Sequence, residues 1–246
     1  MYLYVYDSFL TDPKYATLLT KIEQRVVDLD IKGKIARLSI LKNLKELITD
    51  AVKGGVKTVV VIGNDQTFTK VINVVAELDV ALGLIPVDAS SEIAKMLGIP
   101  PRDLACEVVS GRIIKKLDLG KINNHYFLRS AEITDAPVSI SCDSFQIQPT
   151  TERHMIVVSN FGPQHRTSSP TDGVMEAVIT PRQNAWFGSN KAIKSTVLPF
   201  KKVQITSLAE EPVSIITDSY LVMKTPALIE IAPAKLKVIV GSQRGF

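Results

Sequence analysis

The chain has 246 residues, of which 46% are hydrophobic and 22% charged, a balance that excludes disordered and low-complexity readings. That length suffices for one large or two small domains with a buried core. The formal charge of +4 is evenly spread, with 16 basic and 14 acidic residues in 1–116 and 13 and 11 in 117–246. With aromatics at only 6%, no basic tail or stacking platform marks a nucleic-acid binder.

Cys106 and Cys142 form no C-x-x-C pair, and the start MYLYVYDSFL lacks the basic and apolar regions of a signal peptide. No apolar run approaches the length of a membrane span. The chain therefore reads as soluble and cytoplasmic, with two thiols suited to a reducing compartment.

In chain order, Met1–Tyr6 reads as a strand, and Asp12-Pro13 as an N-cap followed by proline at the first helical position. Tyr15, Leu18, Leu19, Ile22 and Val26 then recur at helical spacing. Lys34–Ile40 is a second strand. The stripe Leu41, Leu44, Ile48, Ala51 and Val52 is a second helix, stopped by Gly54-Gly55. Thr58–Ile62 has the β-branched character of a central parallel strand. Phe68, Val71, Ile72, Val75 and Leu78 stripe another helix, followed by a strand at Ala81–Pro86 and a short helix at Ser90–Leu97. This alternation predicts a Rossmann-like, three-layer α/β domain over 1–116.

After Gly111 the pattern becomes short runs separated by proline, glycine, serine and aspartate: Ile113–Leu119, His125–Ile133, Val138–Ile147, His154–Asn160, Met175–Thr180, Lys202–Ser207, Val213–Ile216 and Lys235–Val240. It predicts an antiparallel β-sandwich domain over 117–246, with the boundary near 112–118 and a cleft between the two domains.

The segment Val59-Val60-Val61-Ile62-Gly63-Asn64-Asp65-Gln66-Thr67 runs from a buried strand into a polar turn and a helix. In open α/β sheets the ligand crevice lies at the carboxyl ends of the strands, where helix N-termini offer free N–H groups to phosphate. Asp65 is suited to a magnesium ion or a ribose hydroxyl, and Thr67 to capping the helix or donating to phosphate. A strand–Gly–polar–helix turn is also the ordinary way such folds reverse direction.

Gly63-Asn64-Asp65-Gln66-Thr67 resembles the GGDGT motif of the diacylglycerol kinase and related lipid kinase family, with two glycines replaced. Leu82-Gly83-Leu84-Ile85-Pro86 through Ala94 is similar to that family's G-I-I-P-x-G-T-G-N-D-F-A stretch, and Leu97-Gly98-Ile99-Pro100 follows as in the family. Asp118-Leu119-Gly120-Lys121-Ile122-Asn123 resembles its D-L-G-x-(V/I)-N strand. Asn160-Phe161-Gly162-Pro163 and Pro170-Thr171-Asp172-Gly173 are similar to its N-G-P and D-G-x-L stretches, and Asp218-Ser219-Tyr220 stands at its D-G-E.

The resemblance implies a phosphotransferase moving the γ-phosphate of ATP to a hydroxyl of a lipid or small polyol. Gly63, Asn64, Asp65, Thr67, Ser90, Ser91 and Glu92 would serve the nucleotide, Asp172 a Mg2+ ion, and Asp65, Asp218 and Tyr220 the transfer itself. The chain departs from the family in ways that imply an impaired, shortened member. Asn64 and Gln66 put side chains where glycines stand, with Gln66 expected to project toward the cleft. Asp88 and Glu92 add carboxylates beside the phosphates, and Tyr6-Asp7-Ser8-Phe9 replaces a glycine-rich loop. Tyr220 replaces the general-base glutamate, and a helical insertion is missing between Ile133 and Val138. A silent kinase-fold protein that binds a ligand or partner is the alternative, as is a soluble acceptor of the NAD-kinase or polyphosphate type.

Arg182, Lys191, Lys194, Lys201 and Lys202 lie in a stretch, 177–209, without Asp or Glu. Facing one way they would favour an anionic membrane surface by about 1 kcal/mol each; facing several ways they are a solvated loop. Trp186-Phe187 is suited to an interface or to the sandwich core. His125, His154 and His165 have no metal-ligand spacing and read as surface or packed residues.

Overall fold

The computed structural model describes residues 1–38, 43–142, 145–151, 153–161, 169–182 and 194–246. Leu41 of the second helical stripe, His165, Trp186-Phe187 and Lys191 lie outside the described residues. The chain divides into two compact units, Met1–Leu117 with Lys235–Phe246, and Asp118–Ala234.

The first unit alternates strands and helices: β1 (Tyr2–Tyr6), α1 (Ala16–Asp28), β2 (Gly33–Arg37), α2 (Leu44–Lys53), β3 (Thr58–Gly63), α3 (Asp65–Val75), β4 (Ala81–Pro86), α4 (Glu92–Met96) and α5 (Ala105–Gly111). The four strands are parallel in the order β2-β1-β3-β4. β3 and β4 are buried along their whole length, because helices cover both faces of a parallel sheet.

Local chemistry sets the helix starts. The Asp12 carboxylate accepts from the Lys14 amide at 3.0 Å, but Pro13–Tyr15 is a 3-10 turn, and α1 begins only at Ala16. Asn43 caps α2 by accepting from the Lys45 amide, and Asn64 caps α3 by accepting from the Thr67 amide, both at 3.0 Å.

The second unit is antiparallel. Its strands are the end of β5 (Ile114–Ile122), β6 (His125–Phe127), β7 (Ser130–Thr134), β8 (Val138–Cys142), β9 (Phe145–Ile147), β10 (His154–Ser159), β11 (Met175–Pro181), β12 (Thr196–Phe200), β13 (Lys202–Ser207), β14 (Ser214–Thr217), β15 (Leu221–Lys224) and the first part of β16 (Ala227–Ile239). One sheet runs β12-β11-β10-β7-β14-β15; in the other, β13 pairs with both β16 and β8, and β9 follows β8. Inward residues of both sheets, including Ile133, Ile140, Ile156, Val158, Ile205 and Ile229, form one buried cluster. Three residues, 135–137, join β7 to β8, so no helix lies between Ile133 and Val138.

Two strands, β12 and β15, were not foreseen. β12 reads Thr-Val-Leu-Pro-Phe, and proline inside a run argues against a strand. It is tolerated here because β12 is an edge strand, with Pro199 opposite Glu176 of β11. The last segment also differs from its expected place. β16 spans both units, and Val238 pairs in parallel with Leu82 of β4, so Lys235–Phe246 belongs with the α/β unit. Local alternation marks a strand but not its neighbour.

Among the described residues, no helix is long and apolar enough to cross a membrane. Cys106 is fully buried, and burial pushes its thiol up to about 11.

Candidate active site

In the α/β unit, the predicted nucleotide residues come together at the carboxyl ends of β1, β3 and β4, and they satisfy one another. The Asp65 carboxylate accepts from the amides of Glu92 at 2.9 Å and Ile93 at 3.2 Å, and from the Ser91 hydroxyl. Ser91 in turn caps α4 by accepting from the Ala94 amide at 3.0 Å. Asp65 thus supplies the negative charge that a helix N-terminus favours, and it fills the N–H groups that an incoming anion would use.

Thr67 is buried, with its hydroxyl within reach of Asn64 Oδ1 at 3.0 Å and of the Asp7 carboxylate. Asp7 also accepts from the Phe9 amide at 3.3 Å, which makes it a member of this network that the sequence reading noted only as a lost glycine loop. Its position at the end of the first strand was the available signal.

The two replaced glycines cause no backbone strain. Asn64 has φ −110°, Gln66 lies within α3, and neither residue is left-handed. The Asn64 side chain folds back onto its own helix as a cap. Gln66 is exposed. A side chain on Gly63 would meet Thr67 at 3.2 Å, so this remaining glycine keeps the β3–α3 turn tight.

Ser90 donates its amide to Asp88 at 2.9 Å, and that bond holds the Asp88 carboxyl below its usual range. Glu92 pairs with Lys95 at 2.9 Å. Asp7, Asp65, Asp88 and Glu92 therefore bring four carboxylates to these loops. Lys14, Lys21 and Arg102 line a recess of about 370 Å3 with Tyr15 and Val87.

In the β unit, Asp218 is buried, 9% exposed, and both carboxylate oxygens are engaged. It accepts from the amides of Leu128 at 2.9 Å, Arg129 at 2.8 Å and Ser130 at 3.3 Å. Burial pushes its carboxyl up, and the three amides pull against that rise. Asp218 and Ser219 have φ +48° and +63°, so Ser219 occupies a left-handed position where the family carries glycine. Tyr220 is half-buried. Burial first, and then the Asp218 charge, pushes its phenol up to about 12, so it stays protonated at neutral pH.

Asp172 is exposed and accepts from the Val174 amide at 3.0 Å, which is an Asx turn. Among the described residues no three His, Cys, Asp or Glu side chains gather as a metal cage. A lone carboxylate in a turn does not fit a protein-built Mg2+ site.

The residue that organises this region is Asp118, the first residue of the Asp118–Asn123 motif. It is 3% exposed, and its carboxylate accepts from the Gly173 and Ala234 amides, both at 2.7 Å. Asn160, fully buried, donates to the carbonyls of Asp118 at 3.0 Å and Leu128 at 2.9 Å.

In the basic stretch, Arg182 is paired with Asp135 at 2.8 Å, and Lys194, Lys201 and Lys202 are exposed.

The sequence and the fold have known counterparts. A curated diacylglycerol kinase of Bacillus subtilis (strain 168) is 35% identical over 77 residues. The match spans 30% of this chain and 25% of the relative's length. The crystal structure of a diacylglycerol kinase from Bacillus anthracis str. Sterne superposes with a TM-score of 0.79 at 19% identity, covering 98% of this chain and 97% of the other. The crystal structure of a putative diacylglycerol kinase from the same organism gives 0.81 at 17% identity over 98% and 96%. At such identities the likeness establishes the shared fold alone, an α/β part and an antiparallel β part. Residues 6–122, just under half of the chain, match the family model of the diacylglycerol kinase catalytic domain.

Proposed function

We propose that the chain is a slow phosphotransferase of the diacylglycerol kinase kind, moving the γ-phosphate of MgATP to a hydroxyl of a lipid or small polyol in the cytoplasm. The observation that carries the low turnover is Tyr220. It stands where the family's D-G-E places a general-base glutamate, and a phenol pushed up to about 12 is a donor at neutral pH rather than a base. The acceptor hydroxyl must then lose its proton to solvent or to the phosphoryl group itself. Asp218 cannot substitute for the base, since its oxygens are occupied by three amides. Phosphoryl transfer depends mainly on positioning and electrostatics, so a weak reaction survives the loss of one proton acceptor.

The test is phosphate transfer from radiolabelled ATP to dioleoylglycerol in mixed micelles and, separately, to glycerol. Tyr220→Glu is expected to raise turnover at least tenfold, and Tyr220→Phe to leave it within twofold of the parent. Absence of ATP binding at millimolar nucleotide overturns the reading. It would favour the second one, a silent module for a ligand or partner, which draws on the internal engagement of Asp65, Thr67 and Ser91.

A further inference from the structure

We propose that Asn160 is the positioning residue for the Asp218-Ser219-Tyr220 turn, acting through the main chain of residues 128–130; as a statement about turnover, this rests on the phosphotransferase reading above. The peptide groups of this short segment are gripped from both sides. On the N–H side, Leu128, Arg129 and Ser130 all donate to the Asp218 carboxylate, at 2.9, 2.8 and 3.3 Å. On the C=O side, Leu128 accepts from the Asn160 side chain at 2.9 Å, and Arg129 accepts from the Asn160 amide at 2.9 Å. Ser130 accepts from the Asp218 amide at 2.9 Å.

Each of these peptide groups therefore has Asp218 on one side, and two of the three have Asn160 on the other. The second donor hydrogen of the Asn160 side chain goes to the Asp118 carbonyl at 3.0 Å. The Asp118 carboxylate anchors that residue to Gly173 and Ala234. A chain of hydrogen bonds thus runs from the anchored Asp118 through Asn160 and Leu128 to Asp218, two residues from Tyr220.

Only a planar amide meets the demand. Both hydrogens of the Asn160 side chain are used at once on two carbonyls, and an aspartate at this place could donate to neither. Because Asn160 and Leu128 are fully buried, neither carbonyl finds water as a replacement. The turn holding Asp218 and Ser219 has positive φ at both residues, a conformation that persists only when its surroundings over-determine it. The Asn160 clamp supplies that constraint from outside the turn.

The experiment compares the parent chain with Asn160→Ser, which keeps one donor, and Asn160→Ala, using amide hydrogen exchange and steady-state kinetics. In the parent, the amides of Leu128 and Arg129 are expected to be as protected as those of Ile156 and Ile205 in the core strands. In the variants, protection at 128–130 is expected to fall at least tenfold while Ile156 and Ile205 keep theirs. Turnover falls about tenfold with acceptor KM within twofold, and Asn160→Ser recovers part of the loss seen in Asn160→Ala. Solvent-like exchange at Leu128 and Arg129 in the parent overturns the proposal, even if neither variant folds. So does an equal loss of protection at 128–130 and in the core strands. Failure of the parent to transfer phosphate would overturn the phosphotransferase reading, whereas the exchange results judge the clamp independently.

Discussion

The carboxylate of Asp65 accepts the Glu92 backbone amide at 2.9 Å, joining two loops that lie 27 residues apart in the chain. With the Ser91 hydroxyl and the Ile93 amide, this makes Asp65 the anchor of α4 rather than a free acid at the mouth of a site. Asp65→Ala is expected to cost about 2 kcal/mol, the scale of losing a capping group with charge-assisted bonds. Urea unfolding checks this. A loss below roughly 0.5 kcal/mol would show that the bonds hold nothing in place.

Asp118 and Asp172 belong to neighbouring motifs but should behave oppositely. Asp118→Ala strands the Gly173 and Ala234 amides around a residue 3% exposed, and about 3 kcal/mol should be lost. Asp172→Ala removes one bond from an exposed turn and should cost under about 1 kcal/mol. Equal losses in the two variants would contradict this assignment.

Ser219 at φ +63° is a natural place to recover stability. Ser219→Gly should raise it by about 0.5–1 kcal/mol, since a left-handed side chain costs roughly what glycine's extra unfolded-state freedom does not fully offset. A thermal unfolding midpoint lower than the parent's would refute the strain argument.

Tyr220 also predicts a pH dependence. Its phenol ionises near 10 when unfolded and is pushed up to about 12 by burial when folded. The stability this represents is fully present below pH 10 and is lost as the pH rises toward 12. Burial raises Tyr4 and Tyr6 in the same direction, so the whole chain weakens in alkali. Tyr220→Phe should lose less stability than the parent between about pH 9 and pH 11, and identical losses would rule out the Tyr220 contribution.

Most of the α/β unit was legible before any coordinates. Helical stripes such as Phe68, Val71, Ile72 and Val75 and the buried run Thr58–Ile62 are local patterns, and local periodicity reports which face is covered. The β unit was legible as short alternating runs, less so at its edges, where Pro199 disguised β12. The candidate site was legible only as residue types in an order. Asp65, Thr67, Asp218 and Tyr220 were named, but the expected crowding by Asn64 gave way to a helix cap, and neither Asp118 nor Asn160 stood out.

What residue order alone determined is the class of each segment and the resemblance to a family, because both are written in spacings of a few residues. What the tertiary structure decided is where each polar group spends its hydrogen bonds. Asp118 meets Ala234, Leu128 meets Asp218, and Val238 lies beside Leu82 across spans of ninety residues or more. A buried carboxylate needs donors fixed in space, and chain separation says nothing about which amides the fold will bring to it.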